Sequence, residues 1–320
     1  MKTRFTLLLS LAFLTFSPAQ EPPADPTEWA SERAPSPHLD EAQFRWWAPE
    51  DLKKIRGVLV LIPGRNGDAR NAVNDAEWQE LAREQEFALV GARLFKPDGA
   101  YQLDPDGKTT ATIERAIAEL GKANGHPEAD KAPLAFWGMS AGANTANYFA
   151  AKNPRRVIAI ASIKCPGGHG SPDRARTQIP ILACVGKNDK ADWVKSAMEN
   201  YENGKQSRAV WTLALHPTEG HEGGASKPLA VAFLREVIPQ RLGSTPSSSS
   251  GSPNLKSLSV QSGWLGDPET LEAAAANDFK GRKRNAIWLP GPGTAEAWRT
   301  YLQTKKGDTT PSAGAGEQQQ

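Results

Sequence analysis

Cysteine is scarce in this chain: Cys165 and Cys184 are the only two among 320 residues. That excludes a small fold stapled by many disulfides, and two thiols so far apart cannot build a zinc site. Both fall on expected neighbouring strands, so a bridge and two separate buried thiols remain equally open. Histidine is almost as rare, at five, which leaves few candidates for any imidazole chemistry. Charge of one sign is lacking too. The formal net charge is +2, and Lys2 and Arg4 lie in a segment expected to be removed; without them the 38 basic residues fall level with the 36 acidic ones. Such a balance gives no electrostatic reason to expect nucleic acid or an anionic membrane as partner. No apolar run after the N-terminus is long enough to cross a bilayer. A dinucleotide fingerprint, a P-loop and a metal-ligand cluster are all missing, so no cofactor and no metal is implied.

The first residues read as an export signal. Lys2 and Arg4 give a positive start, Leu7 to Phe16 is an apolar run too short for a membrane span, and Ser17-Pro18-Ala19 sets small residues at the cleavage positions. Cutting is expected after Ala19, so residues 1–19 are a signal peptide and the mature chain is secreted or periplasmic. Residues 20–54 hold a leader, rich in Pro, Glu and Ser up to about residue 38, together with N-terminal strands or loops.

From 55 to 242 apolar runs and helical stretches alternate. Val58-Leu59-Val60-Leu61-Ile62 has the continuous apolar character of a strand covered on both faces, and it stops at Pro63-Gly64. Further strands are expected at Phe87–Phe95, Pro133–Trp137, Val157–Ile163, Ile179–Val185 and Val210–Leu215. Helices are expected at Trp78–Glu86, Thr109–Lys122, Ala141–Lys152, Trp193–Tyr201 and Pro228–Val237. Strands alternating with helices imply an α/β domain, a mostly parallel central sheet with helices on both faces. Residues 243–254 are Ser/Pro-rich and read as a flexible linker. Residues 255–303 regain Trp264, Phe279, Trp288 and Trp298, too much apolar area for a disordered tail and too short a span for a core of its own. This extension is expected to pack on the main domain, with Thr294 capping a short helix. Residues 304–320 read as a disordered tail.

The chemistry concentrates at strand ends. Gly138-Met139-Ser140-Ala141-Gly142 is a G-x-S-x-G pattern between an expected strand and an expected helix. A strand turning sharply into a helix lifts the middle side chain above the sheet, and the helix N-terminus favours negative charge developing there. Ser140 is therefore the candidate nucleophile. Gly186-Lys187-Asn188-Asp189 follows another apolar strand, and Asp189 is the candidate acid that orients a histidine. By itself such an Asp is more often a helix N-cap, and Asp192 is its rival, further past the strand end. His221, in Glu219-Gly220-His221-Glu222, follows the last expected strand and is the candidate base; His216 is its competitor, while His38 lies in the leader and His126 in a loop at the N-terminal ends of the strands. The order Ser, Asp, His, each beyond a strand's C-terminal end, selects His221. Two backbone N–H groups are needed to hold an oxyanion: Ala141, just after the serine, and Arg65, after the first strand, with Asn66 as second choice.

These motifs resemble those of the α/β-hydrolase superfamily. Over about residues 55–240 the chain is similar to secreted esterases of the polyhydroxybutyrate-depolymerase and feruloyl-esterase type. It differs in carrying Pro63-Gly64 where many of those have His-Gly, and in lacking an aromatic residue just after His221. The resemblance implies a serine esterase that works through an acyl-enzyme without a cofactor, on ester substrates that include carbohydrate-linked acyl or feruloyl groups and polyesters. An exported serine peptidase, or a non-catalytic carbohydrate-binding protein on the same fold, are the other readings.

Overall fold

The chain is described by a computed structural model over residues 25–31, 33–167, 176–242 and 254–305. The expected signal at 1–19, nearly all of the linker at 243–254 and nearly all of the tail at 304–320 lie outside the described residues.

Eight strands form the central sheet: β1 (Glu28–Ala30), β2 (Glu41–Trp47), β3 (Gly57–Ile62), β4 (Phe87–Phe95), β5 (Leu134–Met139), β6 (Val157–Ile163), β7 (Ile181–Gly186) and β8 (Trp211–His216). Their order across the sheet is β1-β2-β4-β3-β5-β6-β7-β8, parallel from β4 to β8, with β1 and β2 antiparallel at one edge. Every residue of β3, β6 and β7 is buried, as expected where helices cover both faces. β2 instead alternates, with Ala42, Phe44 and Trp46 inside and Glu41 exposed. The short edge strand β1 lies within the stretch read from sequence as solvated leader; it pairs with β2, and Trp29 packs edge-on against Phe44 at 5.5 Å between ring centroids.

The helices follow from the crossovers. α1 (Ala76–Gln85) joins β3 to β4, moving one way along the sheet. α2 (Lys108–Ala123), α3 (Ala141–Lys152) and α4 (Ala191–Gln206) join successive strands moving the other way. Right-handed crossovers therefore put α1 on one face and α2, α3 and α4 on the other. α5 (Ser226–Leu242) packs against α1, completing the first layer.

After the linker the chain forms β9 (Trp264–Gly266), β10 (Ala273–Ala275) and β11 (Ile287–Leu289), a small antiparallel sheet in the order β10-β9-β11, and then α6 (Pro292–Gln303). This segment lies against β8, the far edge of the large sheet, and against α5. Thr212 Oγ1 donates to the Trp288 carbonyl at 2.7 Å, and the Trp298 indole donates to the carbonyl of Leu213 at 2.8 Å. Trp288 and Trp298 are buried within the main core, whereas Trp264 is half-buried at its margin. Covering a sheet edge with a folded segment removes a surface that would otherwise pair with other chains. Thr294 does not cap α6: the cap position is Gly291, with Pro292 in the first turn. Glu236 of α5 takes over, accepting the amides of Gly293 at 2.8 Å and Thr294 at 2.9 Å.

Candidate active site

Ser140 sits between β5 and α3 with φ 51° and ψ −116°, a conformation that L-residues adopt only when the surroundings enforce it. The enforcement is visible on both sides. A Cβ on Gly138 would stand 2.6 Å from the Gly142 carbonyl oxygen, and one on Gly142 would run into the carbonyls of Ile62 and Pro63. The Ser140 amide donates to Ile163 O at 2.8 Å, tying the turn to the end of β6. Its side chain stands at the N-terminus of the 12-residue helix α3.

Asp189 follows β7 in a turn closed by its own amide on Gly186 O at 3.1 Å. Its carboxylate is 95 % shielded from solvent, with side-chain exposure of 5%. One oxygen accepts the Lys190 amide at 2.7 Å and the other lies 2.7 Å from His221 Nδ1. His221 Nε2 is 2.7 Å from Ser140 Oγ. With Asp189 ionised, Nδ1–H donates to it and Nε2 is left to accept the serine proton. The His221 ring packs on Trp193 of α4 at 4.7 Å between centroids, and Lys190 Nζ lies over the indole at 4.2 Å.

The competitors are placed elsewhere. His216 is fully buried, and its Nδ1 accepts the amides of Glu219 at 3.0 Å and Thr218 at 3.3 Å. Burial pushes its pKa below the usual histidine range, against the pull of nearby Glu219. Asp192 is exposed in the first turn of α4. Asp189 is not the cap of α4, whose cap position is Lys190.

Of the oxyanion candidates, Ala141 opens α3 beside the serine and is buried. Pro63 and Gly64 bring the end of β3 to the same point: a Cβ on Gly64 would lie 3.7 Å from Ser140 Cβ, so Arg65 follows directly. Asn66 is committed otherwise, its amide donating to Tyr101 Oη at 3.0 Å and its side chain accepting the Lys96 amide at 3.1 Å. Cys165 and Cys184 are separate buried thiols, and desolvation pushes each up to about 12, which leaves them poor nucleophiles. Among the described residues no group of three or more His, Cys, Asp or Glu is placed to hold a metal ion, and no helix is long and apolar enough to cross a membrane. Trp193 against His221 escaped sequence reasoning; its position four residues after Asp189 was the one available hint.

The strand order with its antiparallel second strand, and a serine on a strained turn between β5 and α3, define the α/β-hydrolase fold. No family model matches the chain, and no curated protein does. Solved structures similar to it include a poly(3-hydroxybutyrate) depolymerase from Bordetella parapertussis, at 16% identity over 64% of this chain and 88% of that one, with a TM-score of 0.47. Another is an S-formylglutathione hydrolase from Agrobacterium tumefaciens, at 16% identity over 65% and 90%, TM-score 0.47. A third is a phospholipase/carboxylesterase from Dyadobacter fermentans, at 18% identity over 61% and 95%, TM-score 0.43.

Proposed function

We propose that this chain is a serine esterase that hydrolyses carboxylic esters through Ser140, His221 and Asp189. One observation carries the reading: the unbroken hydrogen-bonded line from Asp189 through His221 to Ser140, at 2.7 Å in each step. His221 takes the serine proton as Oγ attacks the ester carbonyl carbon, and Asp189 stabilises the imidazolium that forms. The tetrahedral oxyanion is held by the amides of Ala141 and Arg65 at the α3 N-terminus. His221 returns its proton to the departing alcohol, leaving an acyl-serine. Water then adds to the acyl carbon, giving its proton to His221, and collapse releases the acid and restores Ser140.

The export signal read in residues 1–19 supports substrates met outside the cytoplasm, and the resemblance of the motifs supports carbohydrate-linked acyl or feruloyl esters and polyesters among them. The test is a panel of short p-nitrophenyl esters, methyl ferulate, acetylated xylan, a soluble polyester and a peptide, each run beside Ser140→Ala. Turnover of an ester that disappears in the variant supports the proposal. Turnover of the peptide alone, or of nothing, removes it.

A further inference from the structure

Behind the triad lies a cluster of buried charge that this reaction does not use. The Lys164 side chain is fully buried, and its Nζ donates to Glu219 Oε2 at 2.6 Å and to Tyr301 Oη at 2.8 Å. The Tyr301 hydroxyl donates to the same Glu219 oxygen at 2.6 Å. Glu219 Oε1 accepts the Ala225 amide at 3.1 Å. Taking an ion pair out of water costs several kcal/mol per ion, and apolar side chains of the same volume often serve stability as well. Stability alone is therefore a weak account of the cluster, and its position suggests another.

All three triad segments meet there. The Ser140 amide is bonded to Ile163, the residue before Lys164. Asn188, the residue before Asp189, donates its amide to the Glu219 carbonyl at 2.9 Å. Glu219 itself precedes His221 by two residues, and through Ala225 its carboxylate closes the far side of the same loop. The surroundings leave it no slack: a Cβ on Gly186 would stand 2.6 Å from Glu219 O, and one on Gly224, at φ +52°, would overlap the Glu219 carboxylate. The other titratable groups near the node are His216, with Nε2 3.9 Å from Glu219 Oε1, Cys184 and Glu222. Tyr301 comes from α6, beyond the linker, so the C-terminal segment reaches the base of the catalytic loop.

We propose that Lys164, Glu219 and Tyr301 form a positioning node that holds the His221 loop against Ser140 and Asp189, making α6 a working part of the active site. That the positioning serves ester hydrolysis rests on the esterase reading; that the node holds the His221 loop does not.

Tyr301→Phe tests this, because it deletes one hydroxyl and keeps the ring that lies 4.8 Å from His216. Three readouts are compared with the unmodified protein: steady-state kcat and KM on an ester, the rate constant for fluorophosphonate labelling of Ser140, and an NMR titration of the His221 imidazole. A fall of about tenfold in kcat, with KM within about twofold, is expected for loss of one hydrogen bond to a buried charge. Labelling should slow by the same factor, and the His221 titration should move. Glu219→Gln, which keeps the shape and removes the charge, should slow labelling at least as far. Thr294→Val is the control: it cuts the 2.6 Å bond to Glu236 at the other end of α6 and should lower Tm while leaving all three readouts unchanged. Wild-type values of all three in Tyr301→Phe overturn the proposal, as does a Thr294→Val protein that shows the same losses. If the unmodified protein neither labels nor hydrolyses an ester, the esterase reading falls. The NMR comparison then decides alone, and an unmoved His221 titration in Tyr301→Phe rejects the node.

Discussion

His221 Nε2 meets Ser140 Oγ at 2.7 Å, and the serine reaches that position only because its backbone is held at φ 51°. In the proposed mechanism the imidazole works only if its other nitrogen carries the proton, which is the task assigned to Asp189. Asp189→Asn keeps the size of the side chain and favours the wrong tautomer, so kcat should drop about 10⁴-fold. His221→Gln should lose at least as much. Circular dichroism should show both variants folded. An Asp189→Asn enzyme within about tenfold of wild type would mean that this carboxylate does not orient the base.

The turn's geometry predicts a steric result. Gly142→Ala would drive a methyl group into the carbonyls of Ile62 and Pro63. Overpacking of this kind costs about 1–3 kcal/mol, and moving β3 away from the serine is the expected relief. Urea unfolding should register the loss of stability, and ester turnover should fall by more than the unfolded fraction explains. Unchanged stability and turnover would show that the approach is looser than described.

The C-terminal segment should be inseparable from the main body. Trp298→Ala removes a fully buried indole together with its bond to Leu213, and is expected to cost about 3–5 kcal/mol. Ending the chain at Leu242 should yield an aggregating protein, since it uncovers β8. A truncated protein as soluble and as stable as the full chain would contradict this.

Acid should destabilise the fold through His216. Burial lowers its pKa in the native state, while the unfolded chain titrates near about 6.5. The stability it contributes is complete above that pH. Below it, the unfolded chain binds a proton that native His216 refuses, so stability falls with pH until the lowered native value is passed. Tm measured between about pH 7 and pH 5 should fall less steeply in His216→Gln than in wild type. Equal slopes would show that His216 does not contribute.

Much of this is legible in the sequence. β6 and α3 have the bounds that apolar patterning and Pro154 suggest, because fully buried strands and a helix ended by proline leave strong local marks. Ser140, Asp189 and His221 come together as their order along the chain implied. β2 was harder: its alternation of Phe44 and Trp46 with polar residues is clear only once the strand is known to pair with β4. The cap of α6 is not legible at Thr294, because the capping carboxylate, Glu236, comes from another helix and no local pattern reports a tertiary partner. Lys164, Glu219 and Tyr301 left no trace for the same reason; Lys164 and Tyr301 are 137 positions apart, and each alone looks like an ordinary surface residue.

The most direct test of the central claim is covalent mapping of the activated serine. The intact protein is treated with a fluorophosphonate, digested and sequenced by mass spectrometry. Label on Ser140, absent from the heat-denatured protein and from His221→Gln, is the predicted result. A native, folded protein that takes up no label, or carries it at another residue, would contradict the account.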